Sequence, residues 1–493
     1  CSSPPRIQLQ LSEAVNIISQ SDFPQQWPEL VPSLVQKFQC GDMTVITGVL
    51  KTAKSIFDRF IGKGEDTAAA ALRVALDQFV KVDAAQPFKM KELFVALASA
   101  VAPTEPAPAM AQRFECLLTL ADIFFALNWV TIPEEFEDEI ETWMQGFIKL
   151  ISFNAAALTD DADADNPGLL EQLRFAIVRN LTHYAAKYEE EFSRFLPPFT
   201  KVILELAARF TSSPMPKHDA VVTQCLQFAS KVIEKKRYGS LFGATDMESP
   251  QGRASAVPQL KMLVEQMVVP CLSLREADLE LLDDNPTEFL RRDMEGSDLD
   301  TRRRGATDLC RSAMRHFESE VSALCNANVA SLVAQSAQAG ANGYLAIDAA
   351  THLFIAFAVK GKTARDGVTK LNEAADVMGF FGGHVLPILQ STDASLNQVL
   401  LADAIAFSTT FRTQVRSLCR TRILRRCYSH TRASLSLSLS LSLSLSLSHH
   451  HPLSLSHSLS PARSRAHARA RSFHYLSIYL LVLRRWTLVT TRP

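Results

Sequence analysis

The spacing of apolar residues constrains the fold most, because it follows the helical repeat through almost all of residues 1–414. Residues three or four positions apart share one face of an α-helix, and the alternation typical of a strand is almost absent. We identify about eighteen such segments, separated by short polar or proline-containing breaks. One clear apolar face consists of Phe114, Leu117, Leu118, Ala121, Phe124 and Phe125. The spacing predicts an all-α fold.

A short pattern, an apolar residue followed by proline, recurs in the same region. Proline suits the first turn of a helix, where its missing N–H would have no partner in any case. Some intervals between these sites approach multiples of about 40 residues, the length of repeats built from a helix pair. The sites are Val31-Pro32, Leu196-Pro197, Val257-Pro258, Val269-Pro270 and Leu386-Pro387. The pattern favours a solenoid of stacked helix pairs.

The charge of the chain differs sharply between its body and its tail. Of the 51 basic residues, 13 are arginines in residues 416–493, which contain no lysine, aspartate or glutamate. Residues 1–415 therefore hold the remaining 38 basic residues and all 52 acidic ones, a net charge of −14. Such an acidic body suits basic protein partners and argues against nucleic acid, whose phosphates it would repel.

The tail also differs in its sequence pattern. Ser434–Ser448 is a strict alternation of serine and leucine, which a CT dinucleotide repeat yields in any reading frame. We predict that residues 415–493 are a disordered, low-complexity tail translated from non-coding DNA. At the other end, the chain begins with Cys1 and has no initiator methionine. We therefore expect it to be a fragment, with a solenoid over residues 1–414.

The sequence offers no set of catalytic, metal-binding or cofactor-binding residues. Asp161, Asp163 and Asp165 match the first positions of a calcium loop, but Asn166 and Gln172 stand where that loop needs glycine and glutamate. Phosphate-binding glycine loops and nucleophile motifs are also missing. The histidines of the body are too dispersed to suggest a ligand set; they are His183, His218, His316, His352 and His384. We expect neither an enzyme nor a cofactor.

Cysteine usage and hydropathy bear on the compartment. The nine cysteines include no CxxC pair, and no signal peptide is recognisable. This usage indicates reduced thiols in an intracellular protein. The apolar run Tyr475–Leu483 is far shorter than the ~20 residues that span a bilayer. We expect no membrane insertion.

The segment Glu288–Asp308, EFLRRDMEGSDLDTRRRGATD, alternates blocks of acids and arginines. Asp300 is a candidate N-cap for the helix that follows. Three arginines in the first turn of that helix would face the positive end of its dipole, so something negative should compensate. The segment is either a solvated loop whose charges pair among themselves or a recognition loop. Its candidate partner-binding residues are Arg291, Arg292, Asp293, Glu295, Asp298, Asp300, Arg302, Arg303 and Arg304.

A second charged surface is predicted around Trp143. Acidic residues surround Phe136, Ile140 and Trp143, which predicts one helix with an apolar stripe and an acidic face. That face is either solvated, at the favourable N-terminal end of the helix, or a docking surface for lysine-rich cargo. We expect Trp143 itself to pack between helices. The candidate cargo-facing acids are Glu134, Glu135, Glu137, Asp138 and Glu141.

Several long segments resemble one protein family in the same order along the chain. They are Ser21–Phe60, FEDEIETWMQGF at Phe136–Phe147, KYEEEFSRFLPPF at Lys187–Phe199, and the charged segment above. Together they resemble the importin-α re-exporters, nuclear export receptors of the importin-β (karyopherin) superfamily. The resemblance covers about Ser2 to Gln414. By it, roughly the first two repeats and the C-terminal half of the family protein are missing.

The resemblance carries implications for fold and function. It implies an all-α HEAT-repeat helical solenoid, an ARM-repeat-like superhelix, over residues 1–414. It also implies an exportin that binds importin-α together with Ran-GTP in the nucleus and releases it in the cytoplasm after GTP hydrolysis. Such receptors shuttle between the two compartments, pass the nuclear envelope through contacts with pore FG-repeat proteins, and need no cofactor. The charged segment would correspond to the family segment that contacts Ran.

Two other functions stay open. The first alternative is another carrier of the same superfamily with different cargo, although the charged segment and FEDEIETWMQGF argue against it. The chain also fits, less well, a HEAT-repeat scaffold with no role in transport.

Overall fold

The computed structural model describes residues 5–415 apart from residues 85, 105, 156–157, 159–162, 164, 294–299, 364–365 and 392–396. Except for Val415, the predicted tail lies outside the described residues. Its disorder and its non-coding origin therefore stay predictions.

Most of the described residues are helical. The helices are α1 Pro5–Asp22, α2 Leu30–Val35, α3 Met43–Phe57, α4 Glu65–Phe79, α5 Met90–Ser99, α6 Ala107–Leu127, α7 Glu134–Glu137, α8 Ile140–Ser152, α9 Leu169–Lys187, α10 Glu189–Phe192, α11 Leu196–Thr211, α12 Asp219–Ile233, α13 Pro250–Ala254, α14 Val257–Leu263, α15 Val269–Leu272, α16 Glu276–Asp284, α17 Pro286–Asp293, α18 Arg302–Met314, α19 Glu318–Gln338, α20 Gly343–Ala358, α21 Val377–Phe380, α22 Leu386–Gln390 and α23 Gln398–Thr410. Two strands, β1 Val359–Thr363 and β2 Gly367–Leu371, lie between α20 and α21. The all-α class predicted from the spacing is confirmed.

The chain divides into two compact units. Unit 1 comprises Cys1–Cys271 and Asp300–His316, and unit 2 comprises Leu272–Leu299 and the residues from Phe317 onward. Unit 1 therefore includes α18, which begins within the charged segment, whereas α16 and α17 belong to unit 2. Within the described ranges, no helix is both long and apolar enough to cross a bilayer.

Unit 1 is built from two rows of stacked helices. In one row α3, α6, α9, α12 and α18 pack each against the next, and in the other α5 packs on α8 and α8 on α11. The rows are joined pairwise, since α5 contacts α6, α8 contacts α9, and α11 contacts α12. This is the arrangement of a helix-pair solenoid, in which each repeat buries its apolar face only against its neighbours. The HEAT-type organisation predicted for this region is present in unit 1.

Aromatic side chains fill the space between the two rows. Phe124 of the predicted apolar face lies 4.8 Å, ring centroid to ring centroid, from Trp143 and 5.0 Å from Phe136. Trp143 also stacks on Phe94 at 4.4 Å, and its side chain is fully buried. Such pairs add about 0.5–1.5 kcal/mol each to the burial of apolar area. The prediction that Trp143 packs in the core is confirmed.

Unit 2 contains a β-hairpin that the helical spacing does not predict. β1 and β2 pair antiparallel, and Gly367 begins β2 with φ of +75°, a conformation that favours glycine. Behind the hairpin, the Asn372 side-chain amide donates to Ser322 Oγ at 2.8 Å and to the Phe357 carbonyl at 3.2 Å. These bonds fix the end of the hairpin against α19 and α20.

Basic side chains cover the C-terminal ends of earlier helices throughout unit 1. The last carbonyl groups of a helix have no partner within it and carry the negative end of the helix dipole. We call these contacts basic caps. The donors and carbonyl acceptors are Arg59 to Ser19, Lys149 to Ala98 and Ser99, Arg174 to Ile151 and Phe153, Lys187 to Trp129 and Val130, Lys235 to Ala185, and His316 to Glu234. Each cap ties one helix to another that follows it in the chain.

Asn128, at the end of α6, is the most fully bonded of these helix ends. Its side-chain amide donates to the Phe124 carbonyl at 2.8 Å, and its side-chain oxygen accepts from the Tyr184 hydroxyl at 2.8 Å. Its own carbonyl accepts from the Tyr188 hydroxyl at 2.7 Å and lies 3.1 Å from His183 Nε2. Asn128 is completely buried, and these bonds join the end of α6 to α9 and to Tyr188, the residue that follows it.

We expect Asn128→Ala to lower the free energy of unfolding of unit 1 by about 2 kcal/mol, because the buried Tyr184 hydroxyl loses its acceptor. Adding Tyr184→Phe should cost less than the sum of the two single changes, since no buried group is then left unpaired. Urea unfolding followed by circular dichroism measures both effects. Gln145→Ala, an exposed amide on α8, is the control and should change little. Additive losses would contradict the network.

Candidate partner-binding site

The charged segment falls into two parts that belong to different units. Its first part is α17, where Arg292 is exposed and its Nε lies 3.7 Å from Glu288 Oε1, one helical turn away. The backbone of Arg291 and Asp293 is helical there. Glu295 and Asp298 lie outside the described residues. The second part, Asp300 onward, belongs to unit 1 and leads into α18.

Asp300 is not the N-cap of α18, contrary to the prediction. Thr301 takes that position, with extended φ of −115° and ψ of 158°, and its hydroxyl accepts from the Arg304 backbone N–H at 3.2 Å. Both residue types are good caps. Asp300 fails because the helix begins one residue too late for its carboxylate to serve, and its side chain is exposed. The prediction that three arginines begin this helix is confirmed.

Arg302 faces the interior and forms another basic cap. Its side chain is 5% exposed, and Nη2 donates to the carbonyls of Phe210 and Thr211 at the end of α11. Nη1 donates to the Ser213 carbonyl at 3.3 Å and to Asp219 Oδ1 at 3.4 Å. The sequence predicted that a negative group should compensate the arginines of this turn. For Arg302 that group is the C-terminus of α11 together with the Asp219 carboxylate. This side chain is built into the solenoid.

The other two arginines of the triplet are placed differently. Arg303 and Arg304 are half-buried on the first turn of α18. Arg304 lies close enough to Asp308, one turn further along, to interact with it electrostatically. Asp308 in turn lies 3.9 Å from Arg311 Nη1. The accessible surface at the start of α18 thus includes Arg303 and Arg304, and Asp300 just before the helix is exposed.

His218 packs directly beside the Arg302 cap. Its ring stacks on Phe210 at 4.2 Å between centroids, and its Nδ1 lies 2.7 Å from Ser213 Oγ. Burial, together with the neighbouring cations Lys217 and Arg302, lowers the pKa of His218 from its ordinary value of 6.5 to about 4. The imidazole is therefore neutral at physiological pH, as its position among cations requires.

The acidic residues around Trp143 lie on two helices and the turn between them, so the prediction of one continuous helix is wrong. α7 ends at Glu137, and α8 begins at Ile140. A tertiary ion pair explains the break, since Glu139 leaves the helical conformation and accepts from Lys91 of α5 at 2.7 Å. The same hydrogen bond is the main cause of a lowered pKa at Glu139.

The predicted cargo-facing acids are mostly accessible. Glu134, Glu137, Asp138 and Glu141 are exposed, and Glu135 is half-buried. Glu141 lies 3.5 Å from Arg194 Nη2 in an exposed ion pair. Beneath them Phe136 and Trp143 are buried, which holds the acids on one rim of unit 1. We call this rim the acidic rim.

Arg302→Met should lower the free energy of unfolding by about 3 kcal/mol, because it leaves the end of α11 and Asp219 without their buried partner. Arg315→Met, at the opposite end of α18, is the matched control. It removes an ion pair with Glu234 whose arginine side chain is 57% exposed, and such pairs contribute below about 1 kcal/mol. Urea unfolding at neutral pH separates the two values. Equal losses would mean that Arg302 does not anchor α18.

His218 gives a second prediction, on pH. Between pH 6.5 and about 4 the unfolded chain binds a proton at this imidazole and the folded chain does not, so stability falls as pH is lowered through that window. The His218 contribution is fully present above 6.5. Urea midpoints measured across this range should fall less steeply for His218→Gln than for the parent. Parallel curves would contradict the lowered pKa.

Comparisons with known proteins agree with the architecture. A model of the Cse1 family matches residues 69–437, ending past Gln414. Exportin-2 from Bos taurus is 37% identical over 416 residues, covering 84% of this chain and 41% of the relative. Exportin-2 from Homo sapiens is 36% identical with the same coverage. The chain thus spans less than half the length of these curated relatives.

A solved structure gives the same result. The structure described as the exportin Cse1 in its cargo-free, cytoplasmic state superimposes with a TM-score of 0.74 at 29% identity, covering 84% of this chain and 43% of that one. The predicted resemblance is confirmed, and this chain belongs to the Cse1 family of exportins.

Proposed function

We propose that this chain acts in nuclear export as a receptor that binds importin-α cooperatively with Ran-GTP and returns importin-α from the nucleus to the cytoplasm. The observation that carries the proposal is the match to exportin-2 over 416 residues, together with the helix-pair stacking of unit 1. Such a receptor works by binding, so its role needs surface area and no reaction chemistry. We propose accordingly that it is not an enzyme and uses no cofactor.

The charge of the body supports a basic protein partner. Residues 1–415 carry a net charge of −14, and the acidic rim concentrates four exposed carboxylates in a short stretch. Charge complementarity of this kind raises association rates and excludes wrong partners more than it raises affinity. We propose the acidic rim, Glu134, Glu135, Glu137, Asp138 and Glu141, as a docking surface for lysine-rich cargo. The same charge disfavours nucleic acid.

For Ran we propose the charged segment, with Arg302 set apart from its neighbours. Arg292, Arg303 and Arg304, with Asp300, are the described residues of the segment that offer exposed or half-buried charge. Arg291, Asp293, Glu295 and Asp298 complete the proposed set by position in the sequence. Arg302 contributes by holding α18 in place, since its own side chain is buried. A partner that binds here therefore meets a surface anchored in the solenoid.

Cooperation between the two partners has a thermodynamic requirement. If Ran-GTP raises the affinity for importin-α, importin-α raises the affinity for Ran-GTP by the same factor.

Movement between nucleus and cytoplasm also requires passage through the nuclear pore. We propose transient contacts with FG-repeat proteins at the nuclear envelope, without membrane insertion.

The function is tested by capturing importin-α from nuclear extract on the immobilised 493-residue chain, with excess Ran-GTP, Ran-GDP or no Ran. We expect recovery with Ran-GTP to exceed that with Ran-GDP at least about fivefold, the low end of typical coupling. Recovery of importin-α that does not depend on the nucleotide bound to Ran would contradict the proposal and favour a scaffold with no role in transport. Capture of other cargo in place of importin-α would favour another carrier of the superfamily.

Charge-reversal variants test the proposed Ran-binding surface in the same assay. Arg303→Glu with Arg304→Glu should reduce the Ran-dependent recovery at least about fivefold by charge repulsion. The control, Lys201→Glu with Lys261→Glu, changes net charge equally at exposed positions on α11 and α14 and should leave recovery unchanged. Circular dichroism confirms that both variants fold. A loss shared by variant and control would reflect net charge alone and contradict the assigned surface.

A further inference from the structure

Three side chains capable of binding a metal ion meet within unit 2. Asp348 and His352 are four residues apart on α20 and so lie on the same face of the helix. Asp403 comes from α23, which packs against α20. One carboxylate or imidazole atom from each residue lies within 4.8 Å of the other two. Two helices thus bring together an O, N, O set of ligand atoms.

The distances within this group suit ligands around one ion. His352 Nε2 lies 3.5 Å from Asp403 Oδ1 and 3.8 Å from Asp348 Oδ1. Both distances exceed the 2.7–3.2 Å of an ordinary N–H···O hydrogen bond. Ligand atoms about 2.1 Å from a tetrahedral Zn²⁺ lie roughly 3.4 Å apart. The carboxylate atoms of Asp348 and Asp403 lie within 4.8 Å of each other, so placing all three ligand atoms on one ion needs shifts of up to about 1.4 Å.

The burial and charge of the two carboxylates also favour a bound cation. Asp348 is fully buried and Asp403 is 8% exposed, so the site holds two carboxylates largely removed from water. The buried Oδ2 of Asp403 has no hydrogen-bond partner among the described residues. Buried carboxylates are found paired with a cation or bound to a metal. A divalent ion would balance both charges and use neutral imidazole as its third ligand.

The ligand types select the class of metal. Imidazole suits Zn²⁺ and related transition ions, whereas Ca²⁺ and Mg²⁺ prefer sites made of oxygen alone. The His352 side chain is 25% exposed, which leaves one side of the group open to water as a fourth ligand. We propose that Asp348, His352 and Asp403 form a Zn²⁺-class metal site that joins α20 to α23. It links two helices of unit 2, and the proposal does not rest on the proposed binding of Ran.

The competing arrangement is a protonated His352 held between two carboxylates with no metal. A Zn²⁺ titration of the whole chain separates the two, in a background where His449, His450 and His451 are replaced by alanine to remove tail binding. The test variants are His352→Gln and Asp403→Asn, and the matched controls are His384→Gln and the exposed Glu373→Gln. Equilibrium dialysis with metal analysis counts the bound ions.

We expect the background protein and both controls to bind one more Zn²⁺ than either test variant, or to bind it more than about tenfold more tightly. Zn²⁺ should also raise the thermal midpoint of the background protein and not that of His352→Gln. Equal Zn²⁺ binding by all variants would overturn the proposed site and favour an ion pair between His352 and the two carboxylates. Histidine-selective NMR of the background protein tests the site without any variant that could misfold. The His352 signals should shift with the first equivalent of Zn²⁺. Unchanged His352 signals would also overturn the proposed site.

Discussion

Unit 1 is held in register by basic side chains that reach the C-terminal carbonyls of other helices. Burial of apolar side chains between stacked helices is strongly stabilising, but it does not fix how far one helix lies along the other. Successive ridges of side chains resemble each other, so a shifted packing buries a similar area. A cation at a helix end is directional, since it must meet particular carbonyl oxygens at the negative end of the dipole. Lys149 of α8, Arg174 of α9 and Lys235, which follows α12, repeat this solution at the ends of α5, α8 and α9. Each cap fixes how far one helix extends past another.

This constraint divides the arginine triplet between two roles. Arg302 joins the caps and fastens α18 to the end of α11, although α18 is separated from the rest of unit 1 by residues that belong to unit 2. Arg303 and Arg304 remain nearer the surface, on a helix whose start is fixed by Arg302 and by the Thr301 cap. A binding surface that presents charges on a rigid helix costs less entropy on binding than a flexible loop would. The anchor and the proposed contact are therefore consecutive residues.

Unit 2 uses different means to join its elements. Asn372 fastens the hairpin to α19 and α20 through neutral hydrogen bonds. The proposed metal ligands Asp348, His352 and Asp403 connect α20 with α23 through buried charge. Buried polar groups restrict a fold to one arrangement only when every member has a partner. An ion of charge +2 would balance the charges of both carboxylates, whereas one imidazolium balances the charge of one.

The sequence by itself determined the helices, the burial of Trp143 and the arginine-rich start of α18, because apolar spacing and local charge are properties of neighbouring residues. Only the tertiary structure decided which groups meet. The acceptors of Arg302 lie about ninety residues earlier in the chain, and Asp403 lies about fifty residues after His352. Local pattern shows which face of a helix is apolar but not which carbonyl or carboxylate lies opposite it. Hence dispersed histidines suggested no metal site until folding placed carboxylates around one of them.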